Sequence, residues 1–231
     1  MLLGPLRHRF TALERAKEQG IGHYFVPRYT RVVDTVESKD NINKAYNLIS
    51  TSKARNEMIV DDVITCVARK QTPVILTRFK EHAKLLHDAL KEKADHVFLL
   101  YGDNSDKENT EIRVKLKQIP ENESRILVAT GQKIGEGFDF PRLDVLMLAA
   151  PVSFEGRLEQ YVGRLNRDHV GKEAVYVYDY IDSHVRYFDK MYAKRLRTYR
   201  KTGFSIWTQE LQPKQIINAI FCLLYTSPSP R

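Results

Sequence analysis

Cysteine is scarce in this chain of 231 residues: only Cys66 and Cys222 are present. They lie far apart, without a CxxC pattern or a histidine at ligand spacing, which excludes a disulfide framework and argues against a zinc site. Cys66 lies on an apolar helical stripe, so we expect a core residue and not a nucleophile. This composition is typical of a reduced, cytoplasmic protein.

Long hydrophobic runs are also absent. No stretch approaches the ~20 consecutive apolar residues of a membrane-spanning helix. The first ten residues contain too short an apolar run for a secretory signal. The histidines show no ligand spacing. The sequence therefore predicts no membrane partner and no metal held by this chain.

Acidic residues are outnumbered. Lys plus Arg is 37 against 29 for Asp plus Glu, which gives a formal net charge of +8. Such a surplus favours polyanionic partners, nucleic acid among them. Charge alone leaves open whether the surplus binds nucleic acid or is an ordinary solvated surface.

From Thr72 onward, short apolar segments alternate with amphipathic helical patterns. This alternation predicts an α/β domain with a parallel sheet covered by helices on both faces. In such sheets, ligands bind at the carboxyl ends of the strands. The predicted strands are Val74–Thr77, Val97–Tyr101, Arg125–Thr130, Val145–Ala150 and Val175–Ile181.

The segment before Thr72 predicts a helical lead-in. Thr11 to Glu14 has the pattern of a capping box that begins a helix ending at Gly20, after a short strand at 6–10. A strand follows at Tyr24–Val33, interrupted by Pro27, and helical periodicity begins at Asp40. We therefore predict four parts: a lead-in at 1–70, a core domain at 71–183, a basic helical extension at 184–221, and a tail at 222–231.

The extension and the tail differ in character. A helix from His184 has one sustained apolar face: Val185, Phe188, Tyr192, Leu196 and Tyr199. Its other faces have seven basic residues: Arg186, Lys190, Lys194, Arg195, Arg197, Arg200 and Lys201. These form either a phosphate-tracking surface or a solvated face. We expect Trp207 to pack and not to stack on bases. The Ser/Pro-rich tail resembles a translated sequencing adapter; the alternative is a disordered proline-rich segment.

The helix after Ser153 has two distinct faces. At ~100° per residue, four apolar side chains share one face: Leu158, Tyr161, Val162 and Leu165. Gln160, Arg164 and Arg167 share the opposite face, beside Gly163, which has no side chain to block close approach. Two guanidiniums held together suit a phosphate chain. The spacing alone also fits a solvated basic face.

A glycine-rich loop at 131–141 follows the strand that ends at Thr130. Its glycines let the backbone approach a phosphate or a sugar, and its amides can donate hydrogen bonds. Asp139 can accept a hydrogen bond from a ribose hydroxyl. Taken alone, the loop also fits an ordinary turn.

Taken in order, these two segments resemble motifs V and VI of superfamily 2 helicases. The matching stretches are Ala129-Thr130 with Gly137-Phe-Asp139-Phe-Pro141, and then Gln160-Tyr-Val-Gly163-Arg164-Leu-Asn-Arg167. The segment 74–79 resembles motif IV. The resemblance covers about residues 2–201. Within the superfamily, the sequence most resembles bacterial DEAD/DEAH-type helicases of mobile-element conflict systems, the TOTE group. It implies a RecA-like domain with a helical lead-in and a basic C-terminal helix.

The resemblance implies ATP binding, with Mg²⁺, across a cleft between two motor domains. Arg167 resembles the arginine finger, with Arg164 its neighbour on the γ-phosphate, and these two would be catalytic. The implied nucleotide-binding residues are Gly137, Asp139, Gln160, Gly163, Arg164 and Arg167. The implied nucleic-acid-binding residues are Thr77, Arg78, Gly102 and Thr130.

The phosphate-cradling motif GxxxxGK[ST] does not occur in this sequence. Gly171-Lys172 lacks the preceding glycine and is followed by Glu173. We therefore expect the lysine, the Mg²⁺ ligands and the catalytic acid to belong to a first motor domain outside this chain. The expectation is an ATP-dependent helicase, inactive as this fragment, that binds DNA in preference to RNA. The alternatives are a double-strand DNA translocase of a restriction-type system and a non-catalytic nucleic-acid-binding module. An arginine finger argues against the last.

Overall fold

The computed structural model describes residues 20–102, 104–131, 140–152, 160–163, 165 and 172–207. The strand predicted at 6–10, the capping box at 11–14 and the tail at 222–231 lie outside these residues. The elements are β1 Gly22–Tyr29, α1 Ile42–Thr51, α2 Lys53–Ala68, β2 Pro73–Thr77, α3 Lys80–Leu90, β3 His96–Leu100, α4 Asp106–Gln118, β4 Arg125–Thr130, β5 Val145–Leu148, β6 Ala174–Ile181, α5 Arg186–Lys201 and β7 Ser205–Ile206.

The strands form one parallel sheet of seven, in the order β3-β4-β2-β5-β6-β1-β7. Strands β2, β4 and β5 are buried along their whole length, as expected for a sheet covered on both faces. The predicted α/β, RecA-like architecture is confirmed.

Two helical layers cover the sheet. On one face, α2 and α3 bury an apolar cluster that includes Ile59, Val63 and Leu86. On the other face, α4, α5 and the helical residues 160–163 and 165 pack together through Leu116, Leu165 and other buried residues. A third cluster joins α1 to the start of α5 at the carboxyl edge of the sheet.

Polar caps fix where two helices begin. The side chain of Asn41 accepts hydrogen bonds from the backbone N–H groups of Asn43 and Lys44, at 2.9 and 3.2 Å. Ser105 and Glu108 form a capping box at the start of α4. These contacts satisfy N–H groups that have no partner within the helix.

Pro27 does not interrupt the first strand, contrary to the prediction from the sequence. β1 runs continuously from Gly22 to Tyr29 and pairs with β6 along its length. The carbonyl of Phe25 accepts from Trp207 on the β7 side. Pro27, two residues later, turns its nitrogen to that same side, where β7 pairs only with Tyr24 and Phe25. The proline therefore removes no ladder hydrogen bond.

Two packing predictions are confirmed. Cys66 is fully buried, and burial raises the pKa of its thiol to about 12, which makes it a poor nucleophile. Trp207 packs edge-on against Tyr24 and Tyr176, with ring centroids 4.7 and 5.2 Å apart. Within the described ranges, no helix is long and apolar enough to cross a membrane.

Arg195 corrects the predicted basic face of the C-terminal helix. Its guanidinium is buried and donates two hydrogen bonds to Asp179 of β6, at 2.7 and 2.8 Å. The hydroxyl of Tyr199 donates to the same carboxylate at 3.1 Å. On the helix, Arg195 projects about 60° from Tyr192 and about 40° from Tyr199, towards the sheet. It is therefore a structural residue.

The flanking segments contribute to the same sheet as the predicted core domain. β1 comes from the predicted lead-in, and β7 from the predicted extension. Arg55 of α2 pairs with Asp182 through two hydrogen bonds of 2.9 and 3.1 Å, with both side chains fully buried. The division into four parts stays a prediction.

Candidate functional site

Three strand ends lie side by side at the carboxyl edge of the sheet. β4 lies between β3 and β2, and Thr130 pairs in register with Thr77. Arg78 follows β2, Gly131 follows β4, and Gly102 lies just beyond β3. The fold therefore brings together all four residues predicted to bind nucleic acid.

These four residues differ in exposure. Thr77 and Thr130 are buried, and the hydroxyl of Thr77 lies 3.3 and 3.4 Å from the carbonyl oxygens of Phe79 and Ala129. Arg78 and Gly102 are exposed. A Cβ at Gly102 would meet nothing within 4 Å, so its surface is open to a ligand. Side-chain contacts with a ligand at this edge are available to Arg78 but not to the two threonines.

Arg78 is held in place by α1. Its guanidinium lies 4.3 Å from the centroid of the Tyr46 ring, a cation–π contact, and donates to Asn43 Oδ1 at 3.4 Å. The hydroxyl of Tyr46 donates to the carbonyl of Pro151 at 2.7 Å. Sequence reasoning missed Tyr46, because no local spacing links it to a residue 32 positions later.

A second group of cations surrounds Tyr101. The Nζ atoms of Lys80 and Lys84 lie 5.2 and 5.6 Å from its ring centroid. The two lysines are one helical turn apart in α3, which begins directly after the motif IV segment. Sequence reasoning missed this group, although that spacing was an available signal. The carboxyl edge therefore has positive charge at two places, at Arg78 and at the two lysines beside Tyr101 and Gly102.

The helical residues 160–163 and 165 have the predicted orientation. Tyr161, Val162 and Leu165 are buried in the core, while Gln160 is exposed and Gly163 is partly exposed. The apolar face therefore packs on the sheet, and the face with Gln160 is turned away from it.

A hydrogen bond joins this helix to the start of the glycine-rich loop. The hydroxyl of Tyr161 donates to the carbonyl of Gly131 at 2.9 Å. A Cβ at Gly131 would lie 2.8 Å from that hydroxyl, closer than real contacts allow, so any larger residue here would force the Tyr161 side chain to shift. The first residue of the loop is thus held against the described part of the motif VI helix.

The far end of the loop is also tied to the helix. Lys172 Nζ donates to the carbonyl of Leu165 at 2.8 Å and to that of Pro141. Burial raises the pKa of nearby Asp144 to about 6, an effect opposed by the backbone N–H of Thr72, which donates at 2.7 Å, and by the charge of Lys172. From the sequence, Lys172 stands out only because Gly171-Lys172 partly matches the phosphate-cradling motif. In the structure it is a structural residue that joins the end of the loop to the helix.

The remaining predicted site residues lie outside the described part of the chain. They are Gly137, Asp139, Arg164 and Arg167. Their roles stay predictions. In the ranges that the structure describes, no group of three or more His, Cys, Asp or Glu side chains is arranged to hold a metal ion.

The family model of the helicase conserved C-terminal domain matches residues 36–169. The chain belongs to this family. The match includes β2 to β5 and the helical residues 160–163 and 165, and it confirms the resemblance drawn from motifs IV, V and VI. The narrower resemblance to the TOTE group, and that of the tail to an adapter, stay predictions.

Two curated viral proteins are similar to the chain. Transcript termination protein A18 of Yaba-like disease virus is 28% identical over 172 residues, which is 70% of this chain and 35% of that protein. Putative helicase 161L of Invertebrate iridescent virus 6 is 30% identical over 161 residues, 67% of this chain and 35% of the relative. The chain therefore spans about a third of the length of these relatives.

Solved structures share the fold. The crystal structure of T4 UvsW matches with a TM-score of 0.62 at 21% identity, covering 81% of this chain and 41% of that one. The ATP-dependent Type ISP restriction-modification enzyme LlaBIII bound to DNA matches with a TM-score of 0.61 at 13% identity, covering 96% and 18%. At these identities the likeness concerns the fold alone.

Proposed function

We propose that this chain is the second motor domain of an ATP-dependent nucleic-acid helicase. The observation that supports it best is the hydrogen bond from Tyr161 to Gly131, because it fixes the arginine-bearing helix against the glycine-rich loop. The family membership of the chain supports the same function.

The helix face with Gln160 would supply the groups that act on the nucleotide. On a continuous helix with about 100° per residue, Arg164 and Arg167 would project within about 40° of Gln160. They would offset the charge that develops on the transferred phosphoryl group, an effect of about 10³–10⁵ in rate for such arginines. Gly137 and Asp139 would contact the nucleotide, Asp139 at the ribose.

The described residues fit one edge of an ATP site. Gln160 is exposed, and Gly163 leaves room for close approach. ATP would supply the phosphoanhydride bond whose hydrolysis drives the motor. Mg²⁺ and the phosphate-binding lysine would be held by the first motor domain, which is outside this chain.

The carboxyl edge would bind the nucleic-acid backbone. Arg78, fixed on Tyr46, would contact a phosphate with its guanidinium. Gly102 would allow the nucleic-acid backbone to approach closely. The buried Thr77 and Thr130 would contribute through their main-chain groups. We propose DNA in preference to RNA; the phage T4 relative, 27% identical over 137 residues, is named an ATP-dependent DNA helicase. A cytoplasmic location belongs to the same proposal.

The test is complementation. The 231-residue chain alone should release no phosphate from ATP, with or without nucleic acid. Joined to a first motor domain that has the GxxxxGK[ST] motif, it should hydrolyse ATP in a nucleic-acid-stimulated manner. The matched control is the same fusion with that motif's lysine changed to alanine.

Three results would contradict the proposal. Turnover by the isolated chain at a rate typical of helicases would refute an incomplete motor. A folded fusion that binds nucleic acid but never hydrolyses ATP would favour the non-catalytic module. Movement along duplex without strand separation would identify a translocase instead of a helicase.

A further inference from the structure

The net positive charge of the chain is concentrated in α5. Its 16 residues include seven basic residues and one acidic residue, a net +6 out of +8 for the whole chain. The other 215 residues therefore have 30 basic and 28 acidic side chains, which is close to neutral. The basic character of this protein is a property of one helix.

Six of these seven basic residues form a single exposed stripe. They are Arg186, Lys190, Lys194, Arg197, Arg200 and Lys201. At about 100° per residue they lie within about 120° of arc, and from first to last they extend about 22 Å at about 1.5 Å per residue. The one acidic residue of the helix, Asp189, lies at the margin of this arc. Among the described residues, Arg186, Lys190, Lys194 and Arg197 form no ion pair with a carboxylate.

The opposite face anchors the helix firmly. Tyr192, Leu196 and Tyr199 are buried against the sheet, and Phe188 is buried against α1. Arg195 pairs with Asp179. Because the guanidinium of Arg195 also donates to the carbonyl of Val152 at 3.0 Å, α5 is fixed at both the sheet and the loop. A rigid helix presents its cations in a constant array, which lowers the entropic cost of binding a regular polyanion.

The stripe begins next to the candidate nucleic-acid site. α5 starts at the carboxyl edge, where the ring of Phe188 packs against Tyr46 with centroids 4.8 Å apart. Tyr46 in turn supports the exposed guanidinium of Arg78 at 4.3 Å. The first turn of α5 is thus linked to Arg78 through two ring contacts of Tyr46, so a phosphate backbone bound at Arg78 would lie near the start of α5.

We infer that the exposed face of α5 is a second nucleic-acid contact, which binds successive phosphates of a strand leaving the carboxyl edge. This inference rests on the proposed function for its partner. Along the axis of a duplex, each strand has one phosphate about every 3.4 Å, so the stripe, about 22 Å long, spans the axial rise of about six phosphates. The contact is with the backbone, so it does not depend on base sequence.

The test measures the salt dependence of binding by the intact 231-residue chain. The variant replaces Lys190, Lys194 and Arg197 with glutamine. The control removes the same three charges elsewhere on the surface, with Lys91→Gln, Lys93→Gln and Lys117→Gln. The probes are single-stranded DNA, duplex DNA and RNA of equal length, and vesicles rich in phosphatidylserine. Melting temperatures check that both proteins fold.

The stripe variant should bind nucleic acid about 10- to 100-fold more weakly at about 0.1 M salt than the control does. The slope of log K against log salt should fall by about 0.7 to 0.9 for each cation that no longer neutralises a phosphate, or about two to three for the variant. If the triple variant does not fold, Lys190→Gln with Lys194→Gln should lower the slope by about 1.4 to 1.8.

Equal slopes for variant and control would overturn the inference, as would a wild-type chain that binds no nucleic acid. A loss of vesicle binding alone would identify an anionic membrane as the partner and would also overturn it. Hydrolysis by the two-domain fusion separates the two proposals. If the fusion is active and the slopes are equal, only the role of α5 has failed.

Discussion

The two halves of the sheet are held together by different chemistry. The motif half, β2 to β5, is almost entirely aliphatic between its strand ends; its interior residues include Ile75, Leu127 and Leu146. The flanking half, β1, β6 and β7 with α1, α2 and α5, has three ion pairs, the first partly buried and the other two fully buried. They are Arg28–Asp62, Arg55–Asp182 and Arg195–Asp179.

The two kinds of interaction differ more in how strictly they require one geometry than in how much they stabilise the fold. Apolar strands gain stability from burial in many related arrangements, because the hydrophobic effect is non-directional. A bidentate arginine–carboxylate pair is satisfied in one geometry, and either partner left alone in the core is costly. We infer that hydrophobic packing assembles the sheet, and that the ion pairs fix the positions of α2 and α5 on it.

The largest predicted effect tests the flanking half. Arg195→Met removes the partner of a fully buried carboxylate and should lower the free energy of unfolding by about 3–5 kcal/mol. Lys194→Met is the control, because it changes the exposed neighbour, and surface changes are usually within about ±0.5 kcal/mol. Urea titrations measure both. A loss under about 1 kcal/mol in Arg195→Met would show that apolar contacts alone anchor α5.

A pH effect is expected where the two halves meet, at His82 of α3 and Asn56 of α2. Nε2 of His82 lies 2.9 Å from Asn56 Oδ1, and because Asn56 donates from Nδ2 to the carbonyl of Ser50, Nε2 is assigned as the donor. Burial, with a smaller contribution from the charge of Arg55, lowers the pKa of His82 from 6.5 to about 3.

The direction of the pH effect follows because the pKa of His82 is lower in the folded chain than in the unfolded chain. Between about pH 6.5 and 3 the unfolded chain takes up a proton that the folded chain does not, so stability falls as the pH falls. From about pH 7 to 5, wild type should lose about 2 kcal/mol more than His82→Gln, in which this group is absent. Asp62 and Asp144 contribute equally to both proteins and cancel. Parallel pH profiles would show that His82 is protonated in the folded state.

These examples show how much of the molecule could be predicted from the sequence. The strands of the motif half were evident because apolar runs and helical periodicity are local signals. The pairs Arg195–Asp179 and Arg55–Asp182 were not, because their partners belong to different elements and no local pattern couples them. At the site, the face of Gln160 was predictable from helical geometry, whereas the support of Arg78 by Tyr46 requires the tertiary fold.

The smallest predicted effect lies in the motif half, where the loop meets the helix. Tyr161→Phe removes the hydrogen bond to the Gly131 carbonyl and should lower stability by about 1 kcal/mol. Tyr187→Phe, at a partly exposed position on α5, is the control and should change stability by less than about 0.5 kcal/mol. Equal unfolding midpoints for the two variants would show that this hydrogen bond does not hold the loop to the helix.

The central claim is that Arg167 acts on ATP at the interface with a first motor domain. The most direct test is Arg167→Lys in the two-domain fusion, with Arg31→Lys as a control at an exposed position. Lysine keeps the charge but loses the planar bidentate fork. We predict that Arg167→Lys lowers kcat for ATP hydrolysis more than it raises KM, and leaves both nucleic-acid binding and Tm unchanged. An unchanged kcat, or a fall in kcat accompanied by a fall in Tm, would contradict a catalytic role for Arg167.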